Sequence, residues 1–292
     1  MKFIRFSIKE QIHLGILTPQ EDGIICLSSI IKGKEFSSIP EFLRQITAEE
    51  IQQLKGAVRN KESDFRLGEV QVCAPIGRPV HDILCVGVNY RAHKEETKEK
   101  ISGGEAPRTI YFSKRANRIL GPGESIHSRL DLDEELDYEV ELAVVIGKEG
   151  KDIPKEQAED YIFGYSIFND ISSRKIQKQH GQWFRGKSLD TYASMGPVIL
   201  HKSALPFPLK VEIKSYVNGQ ERQHSNTQFF LTDIPSLIAE LSSGMTLEPG
   251  DIIATGTPAG VGMGFEPPRY MKKGDRVVCE IPPIGKLENI IK

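Results

Sequence analysis

Apolar residues fall in short runs broken by glycine, proline and charged residues, a pattern that predicts many short strands and few helices. Compact apolar segments predict strands at residues 3–7, 23–27, 83–88, 161–168, 211–217 and 251–254. Asn218-Gly219 follows one of them and is a tight-hairpin signal, because both residues tolerate positive φ. Thr47-Ala48-Glu49-Glu50 predicts a helix start through a capping box. A second helix is predicted from Asp233-Ile234-Pro235 to about Ser243, with Asp as cap, Pro in the first turn and Gly244 past the end. The polar stretch 60–64 reads as a linker. Residues 1–75 are therefore expected to form a small α/β domain and residues 76–292 a larger, strand-rich one. Strands outnumber helices and hairpins recur, so the fold class is α+β with a mixed, curled sheet.

The segment Asp137-Tyr138-Glu139-Val140-Glu141-Leu142-Ala143-Val144-Val145-Ile146-Gly147 sets two acids into an otherwise apolar run. Side chains alternate along a strand, so Glu139 and Glu141 share a face. Two like charges on a half-buried surface repel, and burying either unpaired is costly. A hard divalent cation such as Mg2+, Mn2+ or Ca2+ removes both problems. A solvated strand face is the plainer alternative for this segment taken alone. Asp170, at the end of the apolar run 161–168, either caps a following helix at about 172–179 or completes a three-carboxylate site.

His93 and Glu96, three apart in the charged stretch after Tyr90, share a face if that stretch is helical. Glu96 can then hold one ring nitrogen and leave the other to take a proton from water. The stretch lacks an apolar stripe. It is either a solvated surface helix or a mobile lid pivoting near Ser102-Gly103-Gly104. Two motifs are rejected. Gly181-Gln182-Trp183-Phe184-Arg185-Gly186-Lys187-Ser188 has the spacing of a phosphate-binding loop, but it follows a polar stretch and carries two bulky aromatics. Asp131-Leu132-Asp133-Glu134-Glu135 hints at a calcium loop, but Leu136 and Leu142 stand where glycine and a bidentate glutamate are needed.

Composition narrows the function classes. The 292 residues are 39% hydrophobic and 27% charged, with a formal net charge of −2. Such a balance gives no electrostatic footprint for nucleic acid or an anionic membrane. No apolar run is long enough for a spanning helix, and the start does not resemble a signal peptide. Cys26, Cys73, Cys85 and Cys279 are scattered, so they read as reduced, mostly core thiols of a cytoplasmic protein.

Taken together, five ordered segments resemble the fumarylacetoacetate hydrolase family, over roughly Pro75 to the C-terminus. They are Gly87-Val88-Asn89-Tyr90-Arg91-Ala92-His93, Asp137-Tyr138-Glu139-Val140-Glu141-Leu142, Phe168-Asn169-Asp170-Ile171-Ser172-Ser173-Arg174, Gly186-Lys187-Ser188-Leu189-Asp190 and Gly256-Thr257-Pro258-Ala259-Gly260-Val261-Gly262. The resemblance implies a β-roll catalytic domain, a homodimer, and Mg2+ or Mn2+ held by Glu139, Glu141 and Asp170. It implies that His93 with Glu96 activates or positions water and that Lys187 stabilises enolate or oxyanion charge. Arg174, Gln177 and Thr257 would line the substrate pocket. Cys85-Val86-Gly87 lacks the fourth acid of the larger hydrolases, which places the chain with the three-carboxylate bacterial branch that carries a small N-terminal domain. Lys175 stands where the family usually has Asp, a charge reversal expected near the metal, and Ser194 replaces a frequent proline. The implied chemistry is metal-dependent C–C cleavage of a small dicarboxylic oxo acid, either acylpyruvate hydrolysis, as of fumarylpyruvate, or oxaloacetate decarboxylation. Isomerisation of a hydroxymuconate-type diacid, or a non-catalytic ligand-binding or localisation role on the same fold, are the alternatives.

Overall fold

The computed structural model describes residues 1–97 and 108–292. It is α+β, with two mixed sheets among the described residues. The 11-stranded sheet runs Phe65–Arg66, Gly23–Cys26, Gln11–Leu17, Lys2–Ile8, Ala193–His201, Ile162–Asp170, Val140–Ile146, Ile252–Ala254, Ile83–Gly87, Ile110–Lys114, and Gln71–Cys73 also pairs with Lys2–Ile8. A five-stranded sheet combines Gln220–Asn226, Glu212–Val217, Arg276–Ile281, Gly285–Ile291 and Ser125–Ile126. The N-terminal strands extend the same sheet as the rest of the chain, through Lys2 opposite Leu200 and Phe3 opposite Ile199.

The centre of the large sheet is buried on both faces, along the whole of Val140–Ile146 and Ile162–Asp170. Val140, Leu142, Val144 and Ile146 pack into one apolar cluster. Ala143 and Val145 pack into another. The pleat thus sends the odd-numbered positions to one side, and Glu139 and Glu141 continue that line. On the neighbouring strand Phe168 packs with Ala143 and Val145, and Asp170 follows at the same parity. Val140 lies opposite Asn169, and the Asp170 amide donates to the Glu139 carbonyl at 2.9 Å. Register therefore brings Asp170, some thirty residues further along the chain, beside the neighbouring pair Glu139 and Glu141.

The punctuation read from the sequence is present. Thr47 and Glu50 form the reciprocal cap of the helix Ala48–Asn60. Asp233 caps Ile234–Ser242, and Gly244 lies beyond that helix's end at φ +79. Asn218 and Gly219 turn the hairpin at φ +52 and +78. Asp170, however, does not cap the helix Arg174–Gln179. Asp133 supplies that cap, accepting from the Ile176 amide at 3.0 Å and the Ser173 hydroxyl at 2.5 Å.

Candidate active site

Glu139, Glu141 and Asp170 are almost fully buried, and one oxygen from each lies within 4.8 Å of the others. A solvated strand face is thereby excluded. Lys187 reaches the trio from the one-turn helix Phe184–Lys187, with Nζ 2.7 Å from both Glu139 Oε2 and Asp170 Oδ2. The segment with phosphate-loop spacing therefore delivers a lysine to carboxylates. Arg174 Nη2 stands 2.6 Å from Glu139 Oε1, while its Nε donates to Asp137 Oδ2 at 2.9 Å and its Nη1 to Gln177 Oε1 at 3.1 Å. Thr257 donates its hydroxyl to the Val140 carbonyl and accepts from Gln223 Nε2.

These contacts set the charges. Burial alone would raise Glu139, but Lys187 and Arg174 outweigh it and hold the carboxyl at about 2. Burial, then the charges of Asp170 and Glu139, push Glu141 well above the usual carboxylate range. Its Oε2 accepts from the Gly256 amide at 2.8 Å. A cation shared by the trio would relieve this repulsion, and an all-oxygen donor set suits Mg2+ or Mn2+. The residues present fit such an ion.

His93 lies on the helix Arg91–Thr97 and is 4% exposed, so the face that carries it is docked rather than solvated. Its Nδ1 is 3.1 Å from Glu96 Oε2, and Glu96 Oε1 accepts from the Gly260 amide at 2.9 Å. A Cβ on Gly264 would sit 1.9 Å from Glu96 Oε1, so only glycine admits the carboxylate there. The pivot expected at Gly103-Gly104 lies outside the described residues. His93, Glu139, Glu141, Arg174, Gln177, Lys187 and Thr257 line one small cavity of about 20 Å³. A larger cleft, of about 760 Å³ against the N-terminal strands, is lined by none of these residues.

Lys175 is exposed while Arg174, Ile176 and Gln177 are buried, so the expected charge reversal near the acids does not arise. The helix turns that position outward. Ser194 fills its place by donating to Asn289 Oδ1 at 2.6 Å. Four positions at the candidate site escaped the sequence reading. Lys114 is fully buried, and its Nζ donates to Asp170 Oδ1 at 2.6 Å and to the Ile171 carbonyl at 2.8 Å. Asp137 anchors Arg174 and accepts from the Gly262 and Met263 amides. Phe112 and Trp183 line the cavity. Lys114 ends a short strand, and nothing local in the sequence shows that this end is buried.

Residues 82–292 match the family described as Fumarylacetoacetate (FAA) hydrolase C-terminal. The chain belongs to this family of metal-dependent enzymes. Oxaloacetate tautomerase YisK of Bacillus subtilis is 40% identical over 302 residues, covering all of both chains. A fumarylacetoacetate hydrolase structure from psychrophilic Exiguobacterium antarcticum superposes with a TM-score of 0.82 at 37% identity, covering 100% of this chain and 99% of that one. Maleylpyruvate hydrolase from Sphingobium sp. SYK-6, solved with manganese(II) and pyruvate, gives 0.78 at 29% identity, covering 100% and 98%.

Proposed function

We propose that this chain forms and discharges the enolate of a small 2-oxo dicarboxylic acid, with oxaloacetate as first candidate and Mg2+ or Mn2+ held by Glu139, Glu141 and Asp170. One observation carries the reading: a buried acid trio touched by Lys187, with His93 lining the same cavity. A divalent cation held by Glu139, Glu141 and Asp170 would supply Lewis-acid stabilisation of developing negative charge on the substrate. Lys187 places a second positive charge beside that position. Burial works against its ammonium, but Asp170 and Glu139 outweigh burial and raise its pKa, so it stays charged. Arg174 and Gln177 supply donors for a substrate carboxylate. His93, with Nδ1 fixed by Glu96, keeps Nε2 to remove or return a proton at the carbon next to the carbonyl.

Two outcomes pass through an enolate at C2–C3, that of the intact diacid in the first and that of the three-carbon product in the second. In keto–enol exchange, C3 loses a proton and the carbonyl oxygen gains one. In decarboxylation, the C3–C4 bond breaks, CO2 leaves with its former bonding pair becoming the enolate, and C3 is reprotonated. The tautomerase named for the Bacillus relative supports the first. Acylpyruvate hydrolysis is the second reading, favoured by the His93–Glu96 pair as a water-activating couple and by the maleylpyruvate hydrolase relative.

The test is a panel of oxaloacetate, acetylpyruvate, fumarylpyruvate and a hydroxymuconate-type diacid, each with Mg2+ and with Mn2+. We expect metal-dependent turnover of oxaloacetate that His93→Ala lowers by roughly 100-fold or more. Absence of metal-dependent turnover across the panel would overturn the proposal. The family resemblance also leads us to propose a homodimer; light scattering that returns a monomer mass at micromolar concentration would contradict it.

A further inference from the structure

We infer that an aromatic wall made by Phe112 and Trp183 limits ligand length at this site, favouring a short 2-oxo acid over acylpyruvates with a bulky tail. The inference rests on the enolate reading for the identity of the chelating head group. The cavity, about 20 Å³, has a polar lining of acids, Arg174 and Lys187, and its large apolar side chains include Val88, Phe112 and Trp183. The two rings meet edge to face, 5.2 Å apart at 70°. Lys187 Nζ lies 5.3 Å from the Phe112 ring centroid and also touches two of the acids, so little more than one ammonium separates ring from carboxylates.

The wall is anchored at three points. Phe112 stands opposite Cys85 in the sheet, two residues before the lysine that holds Asp170, so the ring and that acid are tied to one rigid strand. Trp183 begins the turn that ends at Lys187, whose amide donates to the Trp183 carbonyl at 3.2 Å. The indole lies against Gly87, where a Cβ would come within 2.5 Å of Cζ3 and 2.9 Å of Cη2. Glycine thus leaves a notch into which the ring fits. Beside it, Val88 is held at φ +54, a region that strains a β-branched residue and tends to persist where local shape serves a site.

A ligand whose 2-oxo acid end is fixed at the acid trio has room for few further atoms before it meets these rings. We expect a four-carbon oxo acid to displace these rings least. A longer acyl chain must displace Trp183 from its notch and give up the ring–ring contact.

The experiment uses Mn2+-loaded full-length protein and calorimetric titration with oxalate as the short chelator and benzoylpyruvate as the long one. Wild type, Trp183→Ala, Trp183→Phe and Gly87→Ala are compared, with kcat/KM for oxaloacetate and fumarylpyruvate measured in parallel. We expect wild type to bind oxalate at least tenfold tighter than benzoylpyruvate. Trp183→Ala should shift that ratio at least tenfold toward benzoylpyruvate. Gly87→Ala, whose methyl pushes the indole aside, should shift it in the same direction, and Trp183→Phe should stay within threefold of wild type. Ratios that move less than threefold in both Trp183→Ala and Gly87→Ala, with Mn2+ still bound, overturn the wall. Shifted binding ratios in a protein that turns over none of these acids support the wall and sink the enolate reading instead.

Discussion

Lys114 shows how much of the site depends on a single residue. It is fully buried, and burial pulls its pKa down, yet it bonds to Asp170 Oδ1 and so fixes which way that carboxylate faces. Removing one partner of a buried ion pair leaves the other charge uncompensated. Lys114→Met should therefore cost about 3–5 kcal/mol of stability, read as a shift of the urea midpoint at constant slope. A shift of less than about 1 kcal/mol would show that Asp170 does not depend on it. The acid trio was legible because a glutamate is conspicuous in a run such as 138–146. The lysine was not, because a cation at the end of a short strand usually reaches water, and only the fold shows that this end is covered.

Among the elements, strand register and one docked helix assemble the site. The trio needs only the pairing of Val140–Ile146 with Ile162–Asp170, and both strands were visible as apolar runs. The helix Arg91–Thr97 is held differently, through Glu96 bound between His93 and the Gly260 amide. Gly264→Ala should force Glu96 out of that position. We expect kcat to fall at least about tenfold while Mn2+ affinity stays within about threefold, measured by steady-state kinetics and calorimetry. An unchanged kcat would mean that the dock is dispensable. Helix caps and the Asn218-Gly219 hairpin were readable because local side chains determine them. The strand Gln11–Leu17 was not, since polar Gln11 and His13 break up its first half and its pairing with Lys2–Ile8 supplies what its own pattern lacks. Asp133 was read only within a failed calcium motif, because its capping partners lie some forty residues away.

For the molecule as a whole, the N-terminal strands are sealed to the catalytic sheet at Ala193–His201, where the His201 amide donates to the Met1 carbonyl at 2.9 Å. His201 Nδ1 faces the Ser203 hydroxyl and accepts from the Ser203 amide. Burial first, then the N-terminal amine, Lys55 and Lys202, push its pKa down to about 4. The unfolded chain binds this proton near pH 6.5, so between about 6.5 and 4 it holds more protons than the folded one. Stability from this group is complete above pH 6.5 and is lost as the pH falls toward 4, about 3 kcal/mol in all. A thermal melt series should show that His201→Asn, which keeps an acceptor but cannot titrate, has a flatter profile over this range. Parallel profiles would remove His201 from the account.

The central claim is that three buried carboxylates jointly hold the cation on which turnover depends. Its most direct test is titration of Mn2+ into wild type, Glu139→Gln, Glu141→Gln and Asp170→Asn, with oxaloacetate turnover measured on the same samples. Wild type should bind saturably and turn over. Each variant should lose more affinity than the roughly 10–100-fold that an outer partner costs, and should lose turnover with it. Wild-type affinity and rate in any one of the three would contradict the account.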